Sequence, residues 1–376
     1  MTTRAYLDAA GAARPDPAAL TGLTRALGAS WGNPHRPHSE GRQARAALDA
    51  ARELFAHTLA VRPDDVIFTS SHVQALHLGV LALAAARSRV GSKVVAARAE
   101  RTSALHAAAF AGRLTPVEVD GLGRIDLDGM TTALREKGVA LGLLHVGNGE
   151  VGTLQPVDAV HEVARDAGVP LLVDAASAAG GVPLPQGWDV LALDGGEWGS
   201  PVRLGVLVAR SRVRMRPRWP EDADAWFPGG VDPAAAFATA VAFEQSLARL
   251  ERSDAERRAL TGRVRAAASS LPGVRAVGDP DARLPHVVTL AVDGVDGEAL
   301  STELDRRGVA VGTGSACSSS TIEPSHVLTA MGARFDGSIR LTLDAQVTTS
   351  EIDLFLEVLA PALARVRSGE PRDATA

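Results

Sequence analysis

The chain has 376 residues, an apolar fraction of 46% and a formal charge of −5. That length supports a large core and two units of ordinary size, and so mild a charge gives no reason to expect nucleic acid or an anionic membrane as a partner. The start, Met1-Thr2-Thr3-Arg4-Ala5-Tyr6-Leu7-Asp8, lacks an apolar signal core, and no apolar run is long enough to span a bilayer, so a cytoplasmic location is expected.

In chain order, apolar runs alternate with helical patterns, the mark of a parallel sheet covered by helices. Val66-Ile67-Phe68-Thr69, Val94-Val95-Ala96, Leu141-Gly142-Leu143-Leu144, Leu171-Leu172-Val173-Asp174, Val190-Leu191-Ala192-Leu193 and Gly205-Val206-Leu207-Val208 read as strands. Helices are expected over Ala44 to Leu59, Gln74 to Ala86 and Ala159 to Ala167. From about Phe243 a long arginine-rich helix should run to Leu271. Beyond it, strands His286 to Leu290 and Ser338 to Leu343 alternate with helices near Glu298 to Arg307 and Ser350 to Val366. The predicted division is a large α/β unit over 15–245 and a smaller α+β unit from 1–14 and 246–367, with a polar, disordered tail at 368–376.

Only two of the 39 basic residues are lysine, Lys93 and Lys137. Arginine stays protonated and cannot form a Schiff base in a lysine's place. Lys93 precedes a strand and Lys137 sits before Gly138 at an expected helix end, so both read as surface residues. The single cysteine, Cys317, can form neither an internal disulfide nor a cysteine-rich metal site. Its neighbours in Gly312-Thr313-Gly314-Ser315-Ala316-Cys317-Ser318-Ser319-Ser320 suit an exposed loop, where a thiolate is reactive if something activates it. The pairs His35 and His38, and His72 and His77, lack partners at ligand spacing, so no metal is expected.

Several stretches resemble the cysteine desulfurases of the class V aminotransferase fold. They are Tyr6-Leu7-Asp8, Gly32-Asn33-Pro34-His35, His38-Ser39-Glu40-Gly41-Arg42, Phe68-Thr69-Ser70, His145 to Pro156, Val173-Asp174-Ala175, Arg283-Leu284-Pro285 onward to Cys317, and Ser338-Ile339-Arg340. The resemblance implies an α/β fold of the fold-type-I pyridoxal phosphate (PLP) transferase kind. It also implies a homodimer with active sites near the subunit interface.

The same resemblance implies a degenerate PLP site. Glu197 stands at the position of the Schiff-base lysine, Gly196 at the adjoining histidine and Asp194 at a phosphate-binding serine. Val73 and Val231 replace hydroxyl donors of the phosphate cup. Arg101 takes the place of the histidine that stacks on the ring, and Ser177 that of a glutamine on its phenolic oxygen. Asp174, the partner of the pyridinium nitrogen, and Asn148 are retained. A second role open to Asp174 is a buried strand-end carboxylate contacting backbone or Arg101. Two carboxylates about 5 Å from a phosphate would cost roughly 3 kcal/mol for each unit-charge pair. PLP is therefore implied by family resemblance alone, and none is expected to be held.

Arg340 matches the arginine that binds the substrate α-carboxylate, with Asn33 and His35 in matching company; the alternative is a strand arginine paired with Glu197 or Asp194. Cys317 matches the loop cysteine that becomes a persulfide. Three readings follow: a non-catalytic subunit or scaffold, as a homodimer or a heterodimer with an active paralogue; a persulfide carrier that meets a sulfur donor or acceptor protein; and an enzyme with noncovalent PLP or new chemistry in the remodelled pocket.

Overall fold

In the computed structural model, residues 4–220, 224–313, 325–333 and 335–369 are described. The first strand is β1 (Ala5–Leu7), followed by β2 (Val66–Thr69), β3 (Lys93–Ala97), β4 (Arg113–Val117), β5 (Val139–His145) and β6 (Leu171–Asp174). After β7 (Val190–Asp194) and β8 (Gly205–Ala209) come β9 (Val274–Ala276), β10 (Val287–Val292), β11 (Val309–Thr313) and β12 (Gly337–Thr342).

Seven strands form one sheet in the order β2-β8-β7-β6-β5-β3-β4. Neighbours from β7 across to β4 pair in parallel, whereas β8 runs antiparallel to both β2 and β7. The central strands β5 and β6 are buried at every residue, because helices cover both faces. That double cover explains why they read as unbroken apolar runs. The helix His72–Ala86 lies close on this sheet: a Cβ on Gly79 would come within 2.6 Å of Leu172. A second sheet, β1-β11-β12-β10-β9, draws one strand from the N-terminus and four from the C-terminal part, and has its own core around Leu290, Ile339, Phe355 and Leu363.

The expected long helix is two, Pro233–Ala248 and Leu250–Ser269, with a break at Arg249. Ser246 Oγ donates to the Phe243 carbonyl at 2.6 Å, a back-bond that bends helices, and Arg249 is drawn aside to Asp16 at 2.8 Å. The last helix, Thr349–Ser368, extends past Val366 to a left-handed Gly369 cap, so Ser368 closes a helix rather than opening a tail; 370–376 lie outside the described residues. No helix among the described residues is long and apolar enough to cross a membrane.

Candidate functional site

Parallel strands deliver their loops to one edge of the sheet, and in open α/β sheets that carboxyl edge is where ligands bind. β6 ends there on Asp174 and β7 on Asp194, with Gly196 and Glu197 in the turn after it. Arg101 follows β3 and stands at the N-cap of the helix Thr102–Ala111. His72 opens the helix that follows β2.

Asp174 is 2% exposed, and both its oxygens are engaged. Oδ1 accepts from His72 Nε2 at 2.9 Å and from the Ala176 N–H at 3.0 Å, while Oδ2 accepts from Arg101 Nε at 3.1 Å. Burial alone would raise the Asp174 pKa, but His72 and Arg101 outweigh it and hold the carboxyl well below its usual range. Arg101 then continues the chain of contacts. One of its terminal nitrogens donates to Ser177 Oγ at 2.6 Å, and Ser177 donates to Glu197 Oε1 at 3.4 Å; the same guanidinium nitrogen lies 3.8 Å from Glu197. Gly149 makes this possible, since a Cβ there would sit 2.5 Å from Ser177 Oγ and 3.2 Å from the guanidinium.

Glu197 is the electrostatic exception. Its side chain is 5% exposed, and burial, reinforced by the Asp194 charge, pushes its pKa up to about 7 against the pull of Arg101 and Arg340. Asp194 accepts the Gly196 N–H at 2.9 Å, which closes the turn. Burial also lowers the affinity of Arg101 for its proton, but Asp174, Glu197 and Asp194 more than reverse this.

Arg340, on β12, pairs with Asp8 at 3.3 Å rather than with Glu197 or Asp194. Its cross-strand neighbour Gly312 leaves the space, as a Cβ there would be 2.6 Å from the Asp8 carboxylate. Arg340 also acts on Glu150, whose carboxyl is pushed up to about 7 by burial despite a bond to Ser325 and the arginine's charge.

Other sequence candidates fall elsewhere. Asn148 uses its amide on backbone, donating to the Ala99 carbonyl at 2.9 Å and accepting from the N–H groups of Glu150 and Val151. Val73 is 45% exposed in the first turn of its helix. Asn33 and His35 lie in a different surface cleft of the same chain, shared with Trp31, Trp226, Gly230 and Val231. Cys317 lies outside the described residues. Neither lysine reaches the site: Lys93 opens β3 and pairs with Glu136 at 2.7 Å. Lys137 follows the helix Leu127–Leu134 in a turn, and Gly138 takes its positive φ of 85° beyond the helix end instead of capping it. Among the described residues no cluster of His, Cys, Asp and Glu could hold a metal ion.

Sequence reasoning missed His72 and Glu150. The signal for His72 was a histidine immediately after a strand-end Thr69-Ser70-Ser71. Glu150 gave none, because its burial depends on the second sheet: Thr289 of β10 donates to its carbonyl at 2.5 Å.

The aminotransferase class-V family model matches residues 5–355. The chain belongs to that family. Its relatives include a cysteine desulfurase of Cereibacter sphaeroides, 33% identical over 98% of both chains, and the cysteine desulfurase NifS of Azotobacter vinelandii, 30% identical over 97% of this chain and 94% of that one. Among solved structures, a NifS-like protein superposes with a TM-score of 0.89 at 22% identity, covering 96% of this chain and all of that one. DndA from Streptomyces lividans superposes with a TM-score of 0.75 at 27% identity, covering 90% and 99%. The α/β fold is therefore that of the class-V, NifS-like proteins, as the sequence motifs imply.

Proposed function

We propose that this chain is a non-catalytic member of the desulfurase group, a subunit or scaffold that pairs with itself or with an active paralogue in a sulfur-transfer or biosynthetic system. The observation that carries the reading is Glu197, a buried carboxyl at the turn after β7 where the family resemblance calls for an amine. PLP does not fit this residue set. The carboxylate that would meet its pyridinium nitrogen, Asp174, already accepts from His72, Ala176 and Arg101. The Arg101 guanidinium, tied to Ser177 and Asp174, stands at the position from which a family histidine would stack on the ring. No lysine approaches, and a carboxylate makes no imine.

A PLP titration tests the reading. The purified protein should develop no visible imine absorption, and borohydride treatment followed by mass spectrometry should find no pyridoxyl-lysine. A stoichiometric adduct on Lys93 or Lys137 would refute the proposal. Cys317 supplies the discriminating arm: a persulfide formed there on incubation with an active desulfurase and cysteine would replace the scaffold reading by that of a sulfur carrier.

A further inference from the structure

On the far side of Ser177 and Glu197 the N-terminal segment, the helix Leu250–Ser269 and the end of β12 enclose a cavity of about 30 Å³. A water needs roughly 10–15 Å³, so the space suits a small ligand and not a bulky organic one. Three arginines, Arg14, Arg249 and Arg257, and three carboxyls, Asp16, Asp344 and Glu197, line it. Arg14 is bound to Asp344 through Nε at 2.7 Å and a terminal nitrogen at 2.8 Å, and Arg249 is bound to Asp16 at 2.8 Å. Arg257 has no ion pair among the described residues. It is 7% exposed, and its one side-chain bond as donor among the described residues runs from Nε to the Asp344 carbonyl at 3.4 Å.

Three more polar atoms of lining residues find no partner among the described residues: Arg249 Nε, His286 Nδ1 and Thr342 Oγ1. His286 and Thr342 are 6% and 2% exposed. Buried polar atoms are normally satisfied, so several orphans around one cavity, beside a buried guanidinium in no close ion pair, are groups that a small polar ligand would satisfy. The kinds of orphan narrow its chemistry. Arg257, Arg249 and the Thr342 hydroxyl can donate. His286, which burial keeps neutral and whose ring already bonds the Ser177 backbone, leaves Nδ1 to accept.

We propose that this cavity binds a small monovalent anion that also carries a hydrogen, of the hydrogencarbonate class, with Arg257 as its counterion, Thr342 donating to it and His286 Nδ1 accepting its proton in a hydrogen bond. Arg14 and Arg249, with side chains 31% and 27% exposed, form the mouth. Ser177 and Glu197 line both this cavity and the pocket at the strand ends.

Thermal unfolding of the full chain tests this, with sodium hydrogencarbonate compared with sodium gluconate and sodium chloride at constant sodium concentration. Ligand binding to the native state alone raises Tm, so hydrogencarbonate should give a saturable rise of about 2 °C or more over gluconate, which is too large to enter. Chloride, unable to donate to His286, should give a smaller one. Arg257→Met should abolish the rise, and the near-isosteric Thr342→Val should reduce it, which keeps the test open should the first variant fold poorly. The proposal fails if the wild type shows no saturable rise over gluconate, if Arg257→Met or Thr342→Val responds as the wild type does, or if chloride equals hydrogencarbonate.

Discussion

Arg101 and Asp174 meet at 3.1 Å, Nε to Oδ2, and this one pair links the end of β3 to the end of β6 across the intervening β5. The carboxylate is fully buried while the guanidinium side chain is 35% exposed. Removing one partner of a buried pair leaves the other charge uncompensated, at about 3–5 kcal/mol when both are buried. Partial exposure of Arg101 screens the loss, so Asp174→Asn should destabilise by about 2–3 kcal/mol. Urea unfolding checks this; a change within about 0.5 kcal/mol, as at an ordinary surface site, would show that the contact contributes little.

Glu197 and Glu150 predict an unusual pH dependence. Both carboxyls stand near 7 in the folded chain against an ordinary 4.5, burial being the first cause in each case. Between those values the native state binds more protons than the unfolded one, so their contribution to stability is full below about 4.5 and is lost as pH rises through about 7. Asp174 and His286 work in the opposite sense: the low pKa of Asp174 confines its loss to stronger acid, whereas His286, pushed down to about 3 by burial, offsets part of the fall below about pH 6.5. Stability should therefore fall by on the order of 2 kcal/mol between about pH 5.5 and pH 8. Denaturant midpoints across that range measure it. Glu197→Gln should flatten the slope, and a wild-type profile that rises with pH would contradict the assignment.

The strands of the large sheet were legible because burial on both faces makes them unbroken apolar runs. β4 was not, because Arg113-Leu114-Thr115-Pro116-Val117 lies at the sheet edge, where a charge and a proline are tolerated. Nor does composition reveal the reversed direction of β8. At the site, the motif order singled out Asp174, Asp194, Glu197 and Arg101, which the fold gathers after β6, β7 and β3, and an Asp174–Arg101 contact was among the readings. The partner of Arg340 was not legible: Asp8 comes from the far N-terminus, and the pairing depends on β1 and β12 both flanking β11. A single chain also cannot bring Asn33 and His35, in their own cleft, to Arg340.

That separation bears on assembly. Trp31 is 70% exposed beside that cleft, and Leu20 and Leu27, 49% and 56% exposed, lie seven residues apart on the helix Pro17–Ala29 and so share a face. Exposed apolar side chains sharing one helix face suit an interaction surface. We expect a dimer with two-fold symmetry. Light scattering at micromolar concentration should give twice the chain mass, and Leu27→Glu should shift it toward the monomer. A wild-type monomer would favour a heteromeric partner instead.

Glu197→Lys should not restore a desulfurase. The new amine would arise beside the Arg101 guanidinium, now 3.8 Å from the Glu197 carboxylate, and like charges at that distance favour the neutral amine. A neutral amine is the nucleophile an imine needs, so amine chemistry is not the obstacle. The obstacle is the rest of the pocket: Asp174 remains engaged by His72 and Arg101, and Asp194 still closes the β7 turn through Gly196. With PLP present, the variant should release no alanine or sulfide from cysteine above the blank. Adding Arg101→His frees one oxygen of Asp174 and removes the competing cation, so visible absorption with PLP should strengthen in the double variant before any turnover appears. Turnover by the single Glu197→Lys variant would contradict this expectation.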